Sequence, residues 1–176
     1  MAGTSLKPTV PPSQPEALRE AVCEALSRIQ KAKNPVLWGG EEIHRFGLQD
    51  DFEKLISATN LPYATTLLGK SIISENNPRI IGVYDGKFAP KETRQIVEAS
   101  DCIIALGTTI SDFIGDVVAR DFANMILAVK NGLWIGYQHE VEIKRTTFYL
   151  DENLCGGDPS GYGAGVRTVR AIPASR

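Results

Sequence analysis

Residues 63–86, YATTLLGKSIISENNPRIIGVYDG, carry the pattern from which the rest of the chain is interpreted. They begin as an apolar, β-branched run, break at Gly69-Lys70-Ser71, and end in a loop with glycines at positions 82 and 86. Gly-Lys-Ser suggests a phosphate-binding loop, but that motif needs another glycine five residues earlier so that the backbone can wrap the phosphates. Ala64 occupies that position, and the residues between resemble the end of a strand. We therefore interpret the segment as an ordinary connection between a strand and a helix.

The same stretch resembles the middle domain of thiamine-diphosphate-dependent 2-keto acid decarboxylases, most of all the indolepyruvate, phenylpyruvate and pyruvate decarboxylases. That group carries an ATTLLGKS segment, an acidic residue followed by an Asn/His-Pro pair, and a G-x-Y-x-G loop. It also carries G-x-E-x-HRFGL upstream and VE-x-SD-x-x-x-x-LG downstream. The matching residues of this chain are 64–71, Glu75 with Asn77-Pro78, 82–86, 40–48 and 97–107. The resemblance runs from about Pro12 to about Phe148.

The resemblance implies a Rossmann-like domain that lies between two thiamine-binding domains, and those two domains carry the chemistry. In the family, one supplies the activating glutamate and a paired-histidine motif, and the other supplies a GDG…NN motif that holds magnesium and the diphosphate. This chain has no His-His pair and no GDG, and Asn76-Asn77 lacks its upstream partner. We therefore expect no catalytic residue, no metal ligand and no cofactor in this chain, with thiamine diphosphate and Mg²⁺ confined to the full-length enzyme. The chain alone is predicted to be inactive.

The resemblance also bears on partners. In relatives, the middle domain contributes to subunit packing, and in some members it binds a regulatory substrate molecule, a flavin or an adenine nucleotide. Flavin-binding relatives place an arginine soon after the Leu-Gly of the central strand, where this chain has Thr108-Thr109-Ile110, which argues against a flavin. The expected partners are the thiamine-binding domains or subunits of a decarboxylase, together with self-association into a homo-oligomer.

The composition is typical of a globular chain of single-domain size, with 176 residues, 43% hydrophobic and 23% charged. A net charge of -2 provides no basic surface for nucleic acid. No apolar run approaches the roughly 20 residues of a transmembrane helix, and the N-terminus lacks the apolar core of a signal peptide. The three cysteines have no CxxC spacing. These features predict a cytoplasmic protein without nucleic-acid or membrane partners.

Helical and strand-like patterns alternate along the chain. Apolar residues recur at helical spacing from Leu18 to Ile29, and further helices are predicted at 49–58 and 89–99. Strands are predicted at 36–38, 63–67, 102–106, 125–129 and 133–137, with one more candidate at 140–150; Asn131-Gly132 indicates a hairpin. This alternation predicts an α/β, Rossmann-like three-layer sandwich with a mostly parallel sheet of five or six strands. The predicted organisation is an extended lead-in or linker at 1–12, the thiamine-enzyme middle domain at 13–150, and a flexible glycine-rich tail at 151–176.

Open parallel sheets bind ligands in the crevice beyond the carboxyl ends of their strands. A nicotinamide dinucleotide is not expected there, because GGEEIHRFG departs from G-x-G-x-x-G and because Glu41 and Glu42 would repel the pyrophosphate. The alternative to any ligand is that hydroxyls and the Asp112 carboxylate satisfy backbone groups at a turn. The candidate ligand crevice consists of Gly39, Gly40, Gly107, Thr108, Thr109, Ser111 and Asp112.

Three functions remain open. The first is a non-catalytic central scaffold or regulatory domain of a thiamine-diphosphate-dependent 2-keto acid decarboxylase. The second is a free-standing small-molecule-binding or partner-assembly module derived from that domain, and the third is an independent enzyme with its site near Gly107 and Asp112. A domain taken from a larger protein should expose apolar surface that once met its neighbours. The candidates for such exposure are Trp38, Phe46, Phe88 and Trp134.

Overall fold

The computed structural model describes residues 15–110, 122–130, 132–136 and 138–140. The expected lead-in at 1–12, the tail at 151–176 and the candidate strand beyond Glu140 lie outside these residues. No helix in the described part of the chain is long and apolar enough to cross a membrane. The helices are α1 Pro15–Lys31, α2 Glu42–Arg45, α3 Gln49–Thr59 and α4 Lys91–Glu98, with short 3₁₀ helices at Gly86–Phe88 and Phe122–Asn124. The strands are β1 Pro35–Gly39, β2 Tyr63–Thr65, β3 Ile80–Val83, β4 Cys102–Leu106, β5 Met125–Val129, β6 Gly132–Ile135 and β7 Gln138–Glu140.

The strands form one sheet in the order β3-β2-β1-β4-β5-β6-β7. The pairing is parallel from β3 through β5, and antiparallel from β5 through β7. The predicted hairpin is confirmed, because Val129 of β5 lies opposite Gly132 of β6. The α/β, Rossmann-like architecture with a mostly parallel sheet is also confirmed, and the short strands β3 and β7 bring the sheet to seven strands.

The sheet lies between two layers of helices, each with its own apolar core. Successive side chains of a strand point to opposite faces, so each central strand contributes to both cores. On one face, Ala25 of α1 and Leu55 of α3 pack against Leu37 and Ile104 of the two central strands. On the other face, Val97 of α4 belongs to a cluster with the intervening residues of the same strands. This arrangement is the three-layer sandwich expected from the sequence.

Trp38 occupies the centre of the α4 side of the sheet. The residue is fully buried, and its ring stands edge-on to Tyr84 with 5.4 Å between the ring centroids. The expectation that Trp38 is exposed for contact with a neighbouring domain is therefore wrong. Phe88 is exposed as expected, whereas Phe46 and Trp134 are partly buried. Trp38 therefore packs in the core of this domain.

The connection from β2 to β3 consists of turns, without a helix. The interpretation of Gly69-Lys70-Ser71 as a strand-to-helix connection is therefore wrong. A phosphate-binding loop is excluded by the same observation, because such a loop presents phosphate to the N-terminus of the helix that follows. The motif instead lies in a surface loop in which Lys70 and Ser71 are exposed and Gly69 is buried.

Two strand boundaries differ from the prediction. β2 ends at Thr65, because the buried Thr66 begins a turn in which its carbonyl accepts a hydrogen bond from the backbone N–H of Gly69 at 3.1 Å. β3 occupies part of a segment that was expected to be a glycine-spaced loop. Its Gly82 has a φ of 116°, which glycine adopts without the steric cost that a side chain would add.

Asp101, directly before β4, is hydrogen-bonded to the residues directly before β1. Its carboxylate accepts hydrogen bonds from the backbone N–H groups of Lys33 and Asn34, each at 2.8 Å. These hydrogen bonds lower the pKa of Asp101 below its ordinary value, because they stabilise the charged form. β1 and β4 then run in register from Pro35 opposite Cys102, so their carboxyl ends finish side by side.

Candidate functional site

The carboxyl ends of β1 and β4 form the topological switch point of the sheet. From β1 the chain proceeds outward through β2 and β3, and it then returns to the other side of β1 with β4. Ligands of open α/β sheets bind at this position. Five residues of the candidate crevice meet there, and Ser111 and Asp112 lie outside the described residues; the five are Gly39, Gly40, Gly107, Thr108 and Thr109.

The backbone of the protein itself occupies the space between the two strand ends. The N–H of Gly40 donates to the carbonyl of Leu106 at 2.8 Å, and the N–H of Glu42 donates to the carbonyl of Gly107 at 3.0 Å. A Cβ on Gly40 would overlap the carbonyl oxygen of Gly107 and the Cα of Thr108, and would lie 2.6 Å from the Gly107 carbonyl carbon. The loops after β1 and β4 are therefore in direct contact, which leaves no room for a ligand between Gly40 and Gly107.

Thr108 has a structural contact. Its side chain is fully buried, and its hydroxyl donates to the carbonyl of Trp38 at 3.3 Å. This bond joins the loop after β4 to β1, so the hydroxyl satisfies a backbone group, which is the alternative to ligand binding. A hydroxyl used in this way is not directed at a ligand.

Two adjacent glutamates at this edge have different surroundings. The Glu42 carboxylate accepts a hydrogen bond from the backbone N–H of Lys130 at 2.7 Å. The Glu41 side chain is only 6% exposed, and its Oε1 accepts a hydrogen bond from the Thr109 hydroxyl. Its second oxygen, Oε2, is buried without a hydrogen-bond partner among the described residues. A buried carboxylate oxygen without a donor is costly, so Glu41 is the polar group of this edge that needs explanation.

Sequence reasoning missed the pairing of Glu41 with Thr109. Glu41 is expected from the sequence to repel a pyrophosphate, and Thr109 is expected to line the crevice, but nothing in the sequence pairs them. They are 68 positions apart in the chain, and only the register of β1 with β4 brings them together. The signal that could have indicated the pair is a glutamate two residues after one central strand and a threonine three residues after the other.

The residues at this edge do not fit thiamine diphosphate or its magnesium ion. The diphosphate would meet the carboxylates of Glu41 and Glu42, and the close approach of Gly40 to Gly107 closes the position where backbone N–H groups would cradle it. Within the described residues, no group of three or more His, Cys, Asp or Glu side chains could hold a metal ion. No chemical step through that cofactor can be assigned to these residues.

A mostly parallel sheet between two helical layers, with its switch point at β1 and β4, defines a Rossmann-like domain. Comparison with known families then gives its relationship, since residues 22–135 match the family "Thiamine pyrophosphate enzyme, central domain", and the chain belongs to that family. The resemblance seen in the sequence is thereby confirmed.

The similar proteins include pyruvate decarboxylases of yeasts. Pyruvate decarboxylase isozyme 3 of Saccharomyces cerevisiae is 34% identical over 174 residues, which cover 93% of this chain and 31% of the relative. Pyruvate decarboxylase of Candida glabrata is 37% identical over 164 residues, which cover 89% of this chain and 29% of the relative. The chain thus spans about a third of the length of these two relatives.

Proposed function

We propose that this chain is the non-catalytic central scaffold domain of a thiamine-diphosphate-dependent 2-keto acid decarboxylase. The observation that carries the proposal is the family match over residues 22–135, in a chain that spans about a third of its pyruvate decarboxylase relatives. The closed crevice supports the non-catalytic part, because Gly40 and Gly107 occupy with backbone the position that an active site would use. In this proposal thiamine diphosphate and Mg²⁺ bind to other domains of the parent enzyme.

The scaffold role also specifies partners. A rigid three-layer domain can hold two catalytic domains at a fixed separation, because its central strands are buried on both faces and joined along the whole of β1 and β4. The partners in this proposal are thiamine-binding domains or subunits of the decarboxylase, within a cytoplasmic homo-oligomer. Regulation by a ligand would act through the relative placement of those domains.

The proposal predicts the size of the native protein and the inactivity of the isolated chain. An antibody raised against residues 15–110 should detect, in the source cells, a band about three times the 19.2 kDa of this chain, as the coverage of the relatives implies. The purified 176-residue chain should not decarboxylate pyruvate, phenylpyruvate or indolepyruvate when thiamine diphosphate and Mg²⁺ are added. The native protein, enriched with the same antibody, serves as the positive control for turnover.

A native band at 19.2 kDa would contradict the scaffold proposal and would favour a free-standing module. Turnover by the isolated chain, retained after removal of contaminating decarboxylase, would contradict it in a different way. It would indicate an independent active site in this chain.

A second candidate function, small-molecule binding by a free-standing module, is favoured by one observation. The Oε2 atom of Glu41 lies buried at the switch point without a donor among the described residues. Proteins retain such costly groups at binding sites, where a ligand satisfies them. The ligand class that fits is a small molecule with an ammonium or hydroxyl donor, since a carboxylate only accepts hydrogen bonds.

The adjacent glutamates provide a matched pair of substitutions. Glu41→Gln should raise the free energy of unfolding by about 1 kcal/mol, because a buried charge with an unsatisfied oxygen becomes neutral. Glu42→Gln should lower the free energy of unfolding by roughly 0.5–1 kcal/mol, because the hydrogen bond from the backbone N–H of Lys130 loses its charged acceptor. Urea unfolding followed by circular dichroism measures both changes. If Glu41→Gln destabilises the protein as Glu42→Gln does, Glu41 is a structural group and the second candidate loses its support.

A further inference from the structure

The exposed apolar side chains of this domain are concentrated at one edge. Among the described residues, four of the five exposed large hydrophobic side chains follow the carboxyl end of a parallel strand. Leu67 and Leu68 follow β2 and are 60% and 69% exposed, Phe88 follows β3, and Ile110 follows β4. In the sheet β3 is next to β2, and β1 alone lies between β2 and β4, so at about 4.8 Å between strands the ends from β3 to β4 span about 15 Å. We call these four residues the carboxyl rim.

The loop that presents Leu67 and Leu68 is held on both sides. Thr66 before them is buried, and its hydroxyl accepts a hydrogen bond from the backbone N–H of Gly69 at 2.9 Å. Gly69 is packed so closely against β1 that an added Cβ would lie 2.8 Å from the Gly39 carbonyl oxygen. The two leucines are therefore displayed on a fixed loop, and a partner that buries them need not order it first.

The helical faces of the domain differ from this edge. The exposed side chains of α1 beyond Pro15 and all those of α3 are polar or charged, as is usual for helices that face water; they are Glu16, Arg19, Glu20, Gln30, Lys31, Asp50, Glu53, Lys54 and Ser57. The carboxyl rim is instead apolar and is bordered by Lys70 and Lys87, and the Lys87 ammonium lies 5.3 Å from the centroid of the Phe88 ring. Apolar anchors bordered by cations are suited to an apolar surface edged with carboxylates.

We propose that the carboxyl rim is the surface on which a thiamine-binding domain of the same parent polypeptide docks. This inference rests on the proposed function, and it adds the surface and the anchor residues. The occupant is chosen from the length of the relatives, of which this chain covers 31% and 29%, so most of each relative consists of other segments that can cover the rim. The docked domain is expected to present an apolar patch with acidic side chains opposite Lys70 and Lys87.

The test uses a chimaera in which this whole chain replaces the aligned segment of the Candida glabrata pyruvate decarboxylase. The rim variant carries Leu67→Ser and Leu68→Ser. The matched control is Ile96→Ser, because Ile96 is also an exposed aliphatic residue but lies on α4, away from the rim. The same substitutions are also made in the isolated chain. The measured quantities are the trypsin cleavage rate at the two domain junctions of the chimaera and the urea midpoint of each isolated chain.

The proposal expects the rim variant of the chimaera to be cleaved at its junctions roughly tenfold faster than the unsubstituted chimaera, as loss of two buried anchors implies. The Ile96→Ser chimaera and both isolated variants should match their unsubstituted parents. The proposal is overturned if the rim variant of the chimaera behaves like the Ile96→Ser chimaera. It is also overturned if the rim substitutions destabilise the isolated chain, or if they convert a dimer of the isolated chain to a monomer in sedimentation, since the leucines would then serve this domain or a second copy.

Failure of the proposed function and failure of the docking surface give different results in this experiment. A chimaera whose junctions are cleaved as fast as those of a chimaera carrying an unrelated domain would show that this chain does not act as a central domain, and both proposals would then fall. A protected chimaera that is insensitive to the rim substitutions would overturn the docking surface alone.

Discussion

Gly40→Ala is expected to lower the free energy of unfolding by about 3 kcal/mol or more, or to prevent folding. The added methyl group would overlap the Gly107 carbonyl and the Thr108 Cα, which are backbone atoms of the loop after β4. No side-chain rotation relieves this overlap, so the two central strands would have to separate at their carboxyl ends. Urea unfolding followed by circular dichroism measures the loss, together with the soluble yield of the variant.

Gly47→Ala is the matched control for this substitution. Gly47 has a φ of 67°, and an added Cβ would meet nothing within 4 Å, so alanine there adds only the strain of a left-handed backbone. We expect a loss of about 1 kcal/mol at Gly47. Equal losses at the two glycines would mean that the loops after β1 and β4 can move apart cheaply, and the description of a closed crevice would be wrong.

Trp38→Ala is expected to cost about 3–5 kcal/mol, as is usual for removal of a large buried aromatic side chain. The side chain is fully buried between the sheet and α4, and the substitution also removes the edge-to-face contact with Tyr84. Because the free energy of unfolding of a domain is only about 5–15 kcal/mol, this loss would be a large fraction of it. Far-ultraviolet circular dichroism in urea is the suitable measurement, since it does not depend on the fluorescence of the residue removed.

Two further variants test the cause of that loss. Trp38→Phe keeps an aromatic ring next to Tyr84 and removes an indole N–H that is buried without a hydrogen-bond partner among the described residues, so its cost should be about 1–2 kcal/mol. Trp134→Ala, at a partly buried position of β6, should cost less than Trp38→Ala. A Trp38→Ala protein as stable as Trp134→Ala would contradict the central position of Trp38 in the core.

The parts of the fold that depend on local pattern were predictable from the sequence. β4 was predicted with its observed bounds, because Cys102–Leu106 is a continuous apolar run of the kind that a strand covered on both faces requires. α3 was predictable from the helical spacing of its apolar residues. The β5–β6 hairpin was predictable from Asn131-Gly132. The β2–β3 connection was not predictable by these rules, because its polar turn residues fit either a loop or the start of a helix. β3 was missed because it is a half-buried edge strand that contains Gly82.

The candidate site was predictable in position and not in its contacts. The ends of β1 and β4 were identified because parallel strands of this fold class finish at one edge. Whether the edge is open or closed depends on distances between backbone segments far apart in the chain, such as Gly40 and Gly107, and no local pattern encodes these distances. The burial of Trp38 and the exposure of Leu67 and Leu68 are likewise results of strand register and loop geometry.

The register between β1 and β4 also has a kinetic consequence. The hydrogen bond from Thr108 to Trp38 joins residues 70 positions apart, whereas β5 and β6 pair across a turn of adjacent residues. Closing the long loop between Trp38 and Thr108 costs conformational entropy, and this cost is offset only once the β1–β4 contacts have formed. We therefore expect the hairpin to form early and the β1–β4 pairing to form late. Folding of this domain should therefore be limited by the search for that one distant pairing, and should be slower than the folding of a helical bundle of the same length.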